Sequence, residues 1–136
     1  VICCQMISAG GEFLSRLGEF GGILVDEVAQ STELSVIVPI VQRGCRRLVL
    51  AGDHCQLPPC VESREAELRG LSLSLYTRLV NAGIEPFFLN TQYRSHPKIM
   101  EFVGTEIYQG RLLHGVPPLS RPPIEIKGFT WPRKAV

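Results

Sequence analysis

An apolar run that stops on two adjacent carboxylates, Gly22-Ile23-Leu24-Val25-Asp26-Glu27, governs how the rest of the chain can be arranged. A short, continuous apolar run between turn signals suits a strand buried on both faces of a parallel sheet. The acids that close it are not packing residues. An unpaired carboxylate loses several kcal/mol on leaving water, so such a pair requires a cation, a functional role or plain solvation. Leu48-Val49-Leu50-Ala51-Gly52-Asp53 then repeats the theme of an apolar run ending on an acid. Between the two runs, Ser31 or Thr32 is suited to cap a helix, with Glu33 in its first turn and Gly44 as its stop. Leu34, Val36, Ile37, Val38, Ile40 and Val41 are largely β-branched, which makes a strand the rival reading. Parallel strands need a crossover, usually helical, and that favours the helix. Strand, helix and strand form a βαβ unit, which is right-handed in nearly all proteins. Asp26, Glu27 and Asp53 then fall on one edge of one sheet, where open parallel sheets bind ligands.

The remaining elements follow from the same signals. Val1 to Ile7 reads as a buried strand, followed by a turn at Gly10-Gly11 and a short helical piece over Glu12–Leu17. Ser63–Arg69 and Ser72–Ala82 read as helices stopped by Gly70 and Gly83, with Leu75 and Leu79 on one stripe of the second beside Tyr76 and Val80. Pro86-Phe87-Phe88-Leu89 reads as another strand. Pro97 suits the first turn of a helix whose Ile99, Val103 and Ile107 line one face. From Val116 onward, five of the ten prolines fall in 21 residues, which implies irregular chain with at most a short strand at Ile124–Ile126.

A chain of 136 residues supports one modest core, hence one domain or one plus part of another. Its 45% hydrophobic and 20% charged residues are those of a soluble globular protein, and no apolar run is long enough to span a membrane. The start, Val1-Ile2-Cys3-Cys4, lacks an initiator Met and the basic region of a signal peptide, and reads as an internal cut. Five cysteines (3, 4, 45, 55 and 60) form an odd set lying partly in apolar runs. Reduced, buried thiols of a cytosolic or nuclear protein are expected. His54 with Cys45, Cys55 and Cys60 includes no C-x-x-C pair, so a zinc site is not expected. Residues 1–68 hold 5 Lys+Arg against 9 Asp+Glu, and residues 69–136 hold 9 against 4. The basic second half is compatible with phosphate or nucleic-acid contact. Arg43, Arg46 and Arg47 read as solvated charges near a helix end, with nucleic-acid backbone contact as the alternative.

Three separated signatures now stand in order: Asp26-Glu27-Val28-Ala29-Gln30, Gly52-Asp53-His54-Cys55-Gln56-Leu57-Pro58 and Gln92-Tyr93-Arg94-Ser95-His96-Pro97. Their order and spacing resemble motifs II, III and IV of superfamily-one helicases of the up-frameshift type, those of nonsense-mediated mRNA decay, from about Val1 through Leu113. The resemblance implies an α/β, parallel-sheet, RecA-like P-loop NTPase fold. It implies that Asp26 helps hold the magnesium bridging the β- and γ-phosphates, and that Glu27 polarises the attacking water. Gln56 would contact the γ-phosphate, Asp53 would brace its loop, and Tyr93 would stack on the nucleotide base. Arg94 would present a planar fork to phosphate oxygens, a geometry lysine does not offer. Ser95 stands where such helicases commonly carry Met, and Val28-Ala29 replaces smaller or polar pairs; neither change removes a charged group.

The chain has no G-x-x-x-x-G-K-[ST] loop, so the strand and loop that cradle phosphates are absent from it. By analogy with the family, residues 1–90 are the latter part of a first RecA-like domain and residues 91–136 the start of a second, with ATP bound between them. Loss of the phosphate-loop strand would expose apolar strand edges and leave this piece unstable and inactive alone. The expected whole is a cytoplasmic motor, with the nucleus as alternative. It would couple Mg-ATP hydrolysis to movement on single-stranded RNA or DNA and work with mRNA-decay or other nucleic-acid-processing proteins, away from membranes. Two other readings stay open: a degenerate helicase-like module that binds nucleic acid or protein partners without ATP turnover, and a magnesium phosphohydrolase using Asp26, Glu27 and Asp53 without a P-loop.

Overall fold

In the computed structural model, which describes residues 1–120 and 126–130, the two acid-closed runs pair as parallel strands. These are β1 (Ile23–Val25) and β2 (Leu48–Leu50), joined in register as Ile23↔Leu48, Leu24↔Val49 and Val25↔Leu50. The chain divides into two units, Val1–Pro86 and Phe87–Val136. The first contains α1 (Glu12–Ser15), β1, α2 (Glu33–Arg43), β2, α3 (Arg64–Leu68) and α4 (Leu75–Asn81).

The crossover between the strands is helical, despite its β-branched residues and an internal Pro39 that removes a backbone donor. Local capping and burial outweigh that propensity. Thr32 accepts a hydrogen bond from the Ser35 backbone N–H, Glu33 lies in the first turn, and Gly44 ends the helix at φ +68°. Val36 and Pro39 are buried. The α2 N-terminus is tied to α4 by a bidentate pair in which Arg78 Nε and a terminal nitrogen donate to the two Glu33 carboxylate oxygens at 2.7 and 2.6 Å. This pairing holds the Glu33 carboxyl below its ordinary pKa, the hydrogen bond being the larger cause. Ser63 and Ser74 cap α3 and α4, accepting from the backbone N–H of Ala66 and Thr77. The core is small: Val25, Val28, Val36 and Leu75, flanked by Met6, Ile23, Ile40, Leu50, Tyr76 and Leu79.

Several expectations need correction. Residues 1–5 form no strand and are exposed, because a strand exists only through a hydrogen-bonded neighbour and none pairs with them among the described residues. The β1 run is not buried on both faces: Val25 is buried while Leu24 is 71% exposed. None of the five cysteines is buried, although all are free thiols. Arg43 is no solvated charge. It is 6% exposed, and its Nε donates to the Ala9 carbonyl at 2.6 Å, with a longer bond to the Gly11 carbonyl at 3.4 Å. The guanidinium thereby fastens the C-terminal end of α2 to the 3-10 turn over Ile7–Gly10.

The second unit contains β3 (Thr91–Gln92), α5 (Pro97–Glu106) and β4 (Leu113–His114), the strands parallel with Thr91↔Leu113 and Gln92↔His114. Pro97 does open α5, with His96 as its N-cap. The expected apolar face of α5 is not the buried one. Ile99 and Ile107 are exposed and Gly104 is buried, against Leu112. Residues 86–89 form no strand. Instead the Phe88 ring lies 6.0 Å from Tyr108 and beneath the Arg111 guanidinium at 4.7 Å, while Phe87 is fully exposed. The strand expected at Ile124–Ile126 lies outside the described residues except for Ile126, which is irregular.

Candidate functional site

Asp26 and Glu27 follow β1 directly, and Asp53 and Gln56 follow β2. Because the strands are parallel and Val25 lies beside Leu50, both loops leave the same end of the sheet. Pairing continues past the strands: the Ala51 N–H donates to the Val25 carbonyl at 2.8 Å, and the Val28 N–H to the Ala51 carbonyl at 2.9 Å. Gly52 then passes against the backbone of the first loop. A Cβ at this position would lie 2.9 Å from the Ala29 nitrogen and 3.0 Å from Val28 Cγ1, so a side chain there forces the two loops apart.

Glu27 has φ +52° and ψ +35°, the left-handed region, which costs a non-glycine residue about 1–2 kcal/mol. Strain of this kind persists only where the surroundings over-determine it, and it gathers at functional sites. Here the turn drives Val28, which is fully buried, and Ala29 into the core. The Asp26 carboxylate accepts from the Glu27 N–H at 3.0 Å, and the Glu27 carboxylate accepts from Gln30 Nε2 at 2.9 Å. Both acids are exposed, so the desolvation cost considered from sequence does not arise. They meet solvent on a rigid base.

In the second loop, Asp53 Oδ1 accepts from the Cys55 N–H at 2.9 Å and Oδ2 accepts from Gln56 Nε2 at 2.8 Å. Asp53 thus braces the loop and fixes Gln56. The His54 ring stacks on Tyr76 of α4 at 5.9 Å, which anchors the loop to the helix. Burial raises the Tyr76 phenol pKa, and the charges of Asp53 and Cys55 add to the effect.

Magnesium takes hard oxygen ligands, usually one or two carboxylates completed by substrate phosphates. Asp26, an exposed carboxylate whose Oδ1 accepts one backbone hydrogen bond, fits that donor set. Asp53, His54 and Cys55 also bring ligand atoms within 4.8 Å of one another, but both Asp53 oxygens already hold the loop.

Tyr93 and Arg94 belong to the second unit. The side chain of Gln92 shapes their turn: its Oε1 accepts from the backbone N–H groups of Arg94 and Ser95 at 3.1 and 2.9 Å, and its Nε2 donates to the Ser95 carbonyl at 2.9 Å. Arg94 is exposed, and among the described residues its guanidinium makes no hydrogen bond or ion pair. It is a cation held out by its backbone.

Two AAA domain family models match the chain, one over residues 1–64 and the other over residues 71–134. Regulator of nonsense transcripts 1 homolog of Drosophila melanogaster is 46% identical over 134 residues, 98% of this chain and 11% of that protein. The chain belongs to the superfamily-one helicases of the up-frameshift type. Regulator of nonsense transcripts 1 of Caenorhabditis elegans is 45% identical over 96% of the chain, and ATP-dependent helicase NAM7 of Saccharomyces cerevisiae 35% identical over all of it. The chain spans 12% and 14% of those two relatives. Membership of this helicase family implies a P-loop NTPase fold, and the small parallel sheets with helices agree with it. Within that frame, sequence reasoning missed two residues that shape the helicase motifs. Gln92 carried a signal, standing first in Gln92-Tyr93-Arg94-Ser95. Gly52 carried one as well, between a strand and an acid, the position at which backbones approach closely.

Proposed function

We propose that, within the full-length protein, this chain forms part of an ATP-dependent helicase coupling ATP hydrolysis to movement on single-stranded RNA or DNA. The observation that carries the proposal is the shared end of the β1–β2 sheet from which Asp26, Glu27 and Gln56 all emerge. The names of two relatives, ATP-dependent helicase upf1 of Schizosaccharomyces pombe and ATP-dependent helicase NAM7, support the reading.

Each residue has a role set by its chemistry. Asp26 is the carboxylate that would hold magnesium, whose charge, when bound, neutralises the β- and γ-phosphate oxygens. Glu27 accepts a proton from, and orients, the attacking water. Gln56 both donates and accepts, which suits contact with the γ-phosphate and a report of its loss. Arg94 stabilises negative charge developing on the transferred phosphoryl group, and Tyr93 offers a ring face to the base.

In this reading the fold is RecA-like. Residues 1–90 are the C-terminal part of the first helicase domain and residues 91–136 the start of the second, and the phosphate-loop strand lies elsewhere in the protein. Support comes from apolar surface on the β1–β2 sheet, where Leu24 and Val49 are both exposed. The protein works in the cytoplasm with single-stranded nucleic acid and mRNA-decay proteins. The test is ATP hydrolysis by the full-length protein with and without single-stranded RNA or DNA. Stimulation by either supports a motor, whereas nucleotide-independent binding with no turnover under both conditions overturns it.

A further inference from the structure

The turn carrying Tyr93 and Arg94 is built against the end of β4, by two contacts that sequence spacing does not announce. The first is steric. A Cβ on Gly115 would fall on the Tyr93 ring, with Cζ only 2.8 Å away and Cε1 and Cδ1 nearer still. The ring therefore lies over bare backbone, and its position depends on residue 115 having no side chain. The Gly115 N–H donates to the Gln92 carbonyl at 2.9 Å, which fixes that backbone beneath the ring. Tyr93 is 66% exposed in this position.

The second contact is polar. Gln92 Nε2 lies 3.1 Å from His114 Nδ1. The amide orientation is fixed independently, because Oε1 receives two backbone N–H groups. An amide nitrogen only donates, so Nδ1 is the acceptor. The imidazole of β4 thereby holds the side chain that in turn holds the backbone of Arg94 and Ser95.

We propose that His114 and Gly115 are positioning residues for nucleotide binding: Gly115 sets the place of the Tyr93 ring, and His114, through Gln92, sets the turn that projects Arg94. The inference rests on the nucleotide-contacting roles proposed for Tyr93 and Arg94. Its steric part has a readout independent of them.

The experiment is a double-mutant cycle in the full-length protein with Gly115→Ala, Tyr93→Ala and both together. Unfolding temperature and ATP KM and kcat are measured for each. The expected result is that Gly115→Ala lowers the unfolding temperature and raises KM by about fivefold or more, with kcat within about twofold. Both effects should vanish in the Tyr93→Ala background, where no ring is left to displace. Equal effects of Gly115→Ala in both backgrounds would overturn the steric part. Should Tyr93→Ala leave KM unchanged while the stability coupling persists, the base-stacking role fails but the placement of the ring by Gly115 is supported. For the polar contact, His114→Leu should lower kcat and His114→Asn, which restores an acceptor, should recover it. Equal loss in both variants would overturn the role of His114.

Discussion

Replacing Gly52 with Ala probes how closely the two acid-bearing loops depend on each other. The new methyl carbon would sit 2.9 Å from the Ala29 nitrogen, 3.0 Å from Val28 Cγ1 and 3.1 Å from the Val28 nitrogen. Ordinary van der Waals contact begins near 3.4 Å, so backbone must yield by up to about half an ångström. Two of the three obstructing atoms are main chain, and Val28 is fully buried, so rotation of a side chain cannot relieve the clash. Overpacking of this kind costs about 1–3 kcal/mol. The yielding backbone is that of the loop carrying Asp26 and Glu27, so turnover should fall as well as stability, and a displacement of this order can cost about 10²-fold in rate. Urea unfolding and ATP hydrolysis of the full-length protein measure the two effects. Gly21→Ala is the control, because nothing lies within 4 Å of a Cβ at that position. Unchanged stability and turnover in Gly52→Ala would refute the claim that the loops share one rigid base.

Other predictions follow from the same contacts. Arg43→Ala should destabilise the first unit by about 2–3 kcal/mol in urea unfolding, since it removes a charged donor and leaves the Ala9 carbonyl without it; Arg43→Lys should recover only part of this. Because Arg78 depresses the folded-state pKa of Glu33, that pair's stabilisation should be complete above about pH 4.5 and be lost as pH falls through the lower folded value. Stability measured against pH should therefore decline through that window in wild type, and Glu33→Gln should flatten that part of the curve. Arg94→Ala in the full-length protein should lower kcat by about 10³-fold or more, the usual worth of a γ-phosphate arginine, with nucleotide affinity changed far less. The 136-residue chain expressed alone should aggregate and hydrolyse no ATP, and a folded monomer with magnesium-dependent ATPase activity would contradict the incomplete-domain reading.

The sequence made legible what depends on neighbours along the chain. Thr32, Ser63 and Pro97 marked helix starts, and Gly44, Gly70 and Gly83 marked stops, each adopting positive φ, whereas the helix expected from Ser72 begins later, capped by Ser74. The helical crossover, once recognised, forced β1 and β2 to run parallel, and that alone brings Asp26 and Gln56 to one end of a sheet. What failed depends on partners distant in sequence. The apolar runs at Val1–Ile7 and Pro86–Leu89 had the composition of strands, but strands need neighbours. Arg43 looked solvated because its partners, Ala9 and Gly11, lie more than thirty residues earlier. The bond between Gln92 and His114 spans 22 residues and has no local signature. The left-handed turn at Glu27 was hidden for another reason: glutamate does not favour that region, and only the burial of Val28 and Ala29 imposes it.

In the proposed mechanism Glu27, exposed on a strained turn at the end of β1, orients the water that attacks the γ-phosphate. The direct measurement is ATP turnover and nucleotide affinity of the full-length protein carrying Glu27→Gln, which preserves shape and the contact with Gln30 while removing the proton acceptor. Turnover should fall by at least about 10²-fold with affinity for ATP retained. Turnover within about twofold of wild type would contradict the assignment.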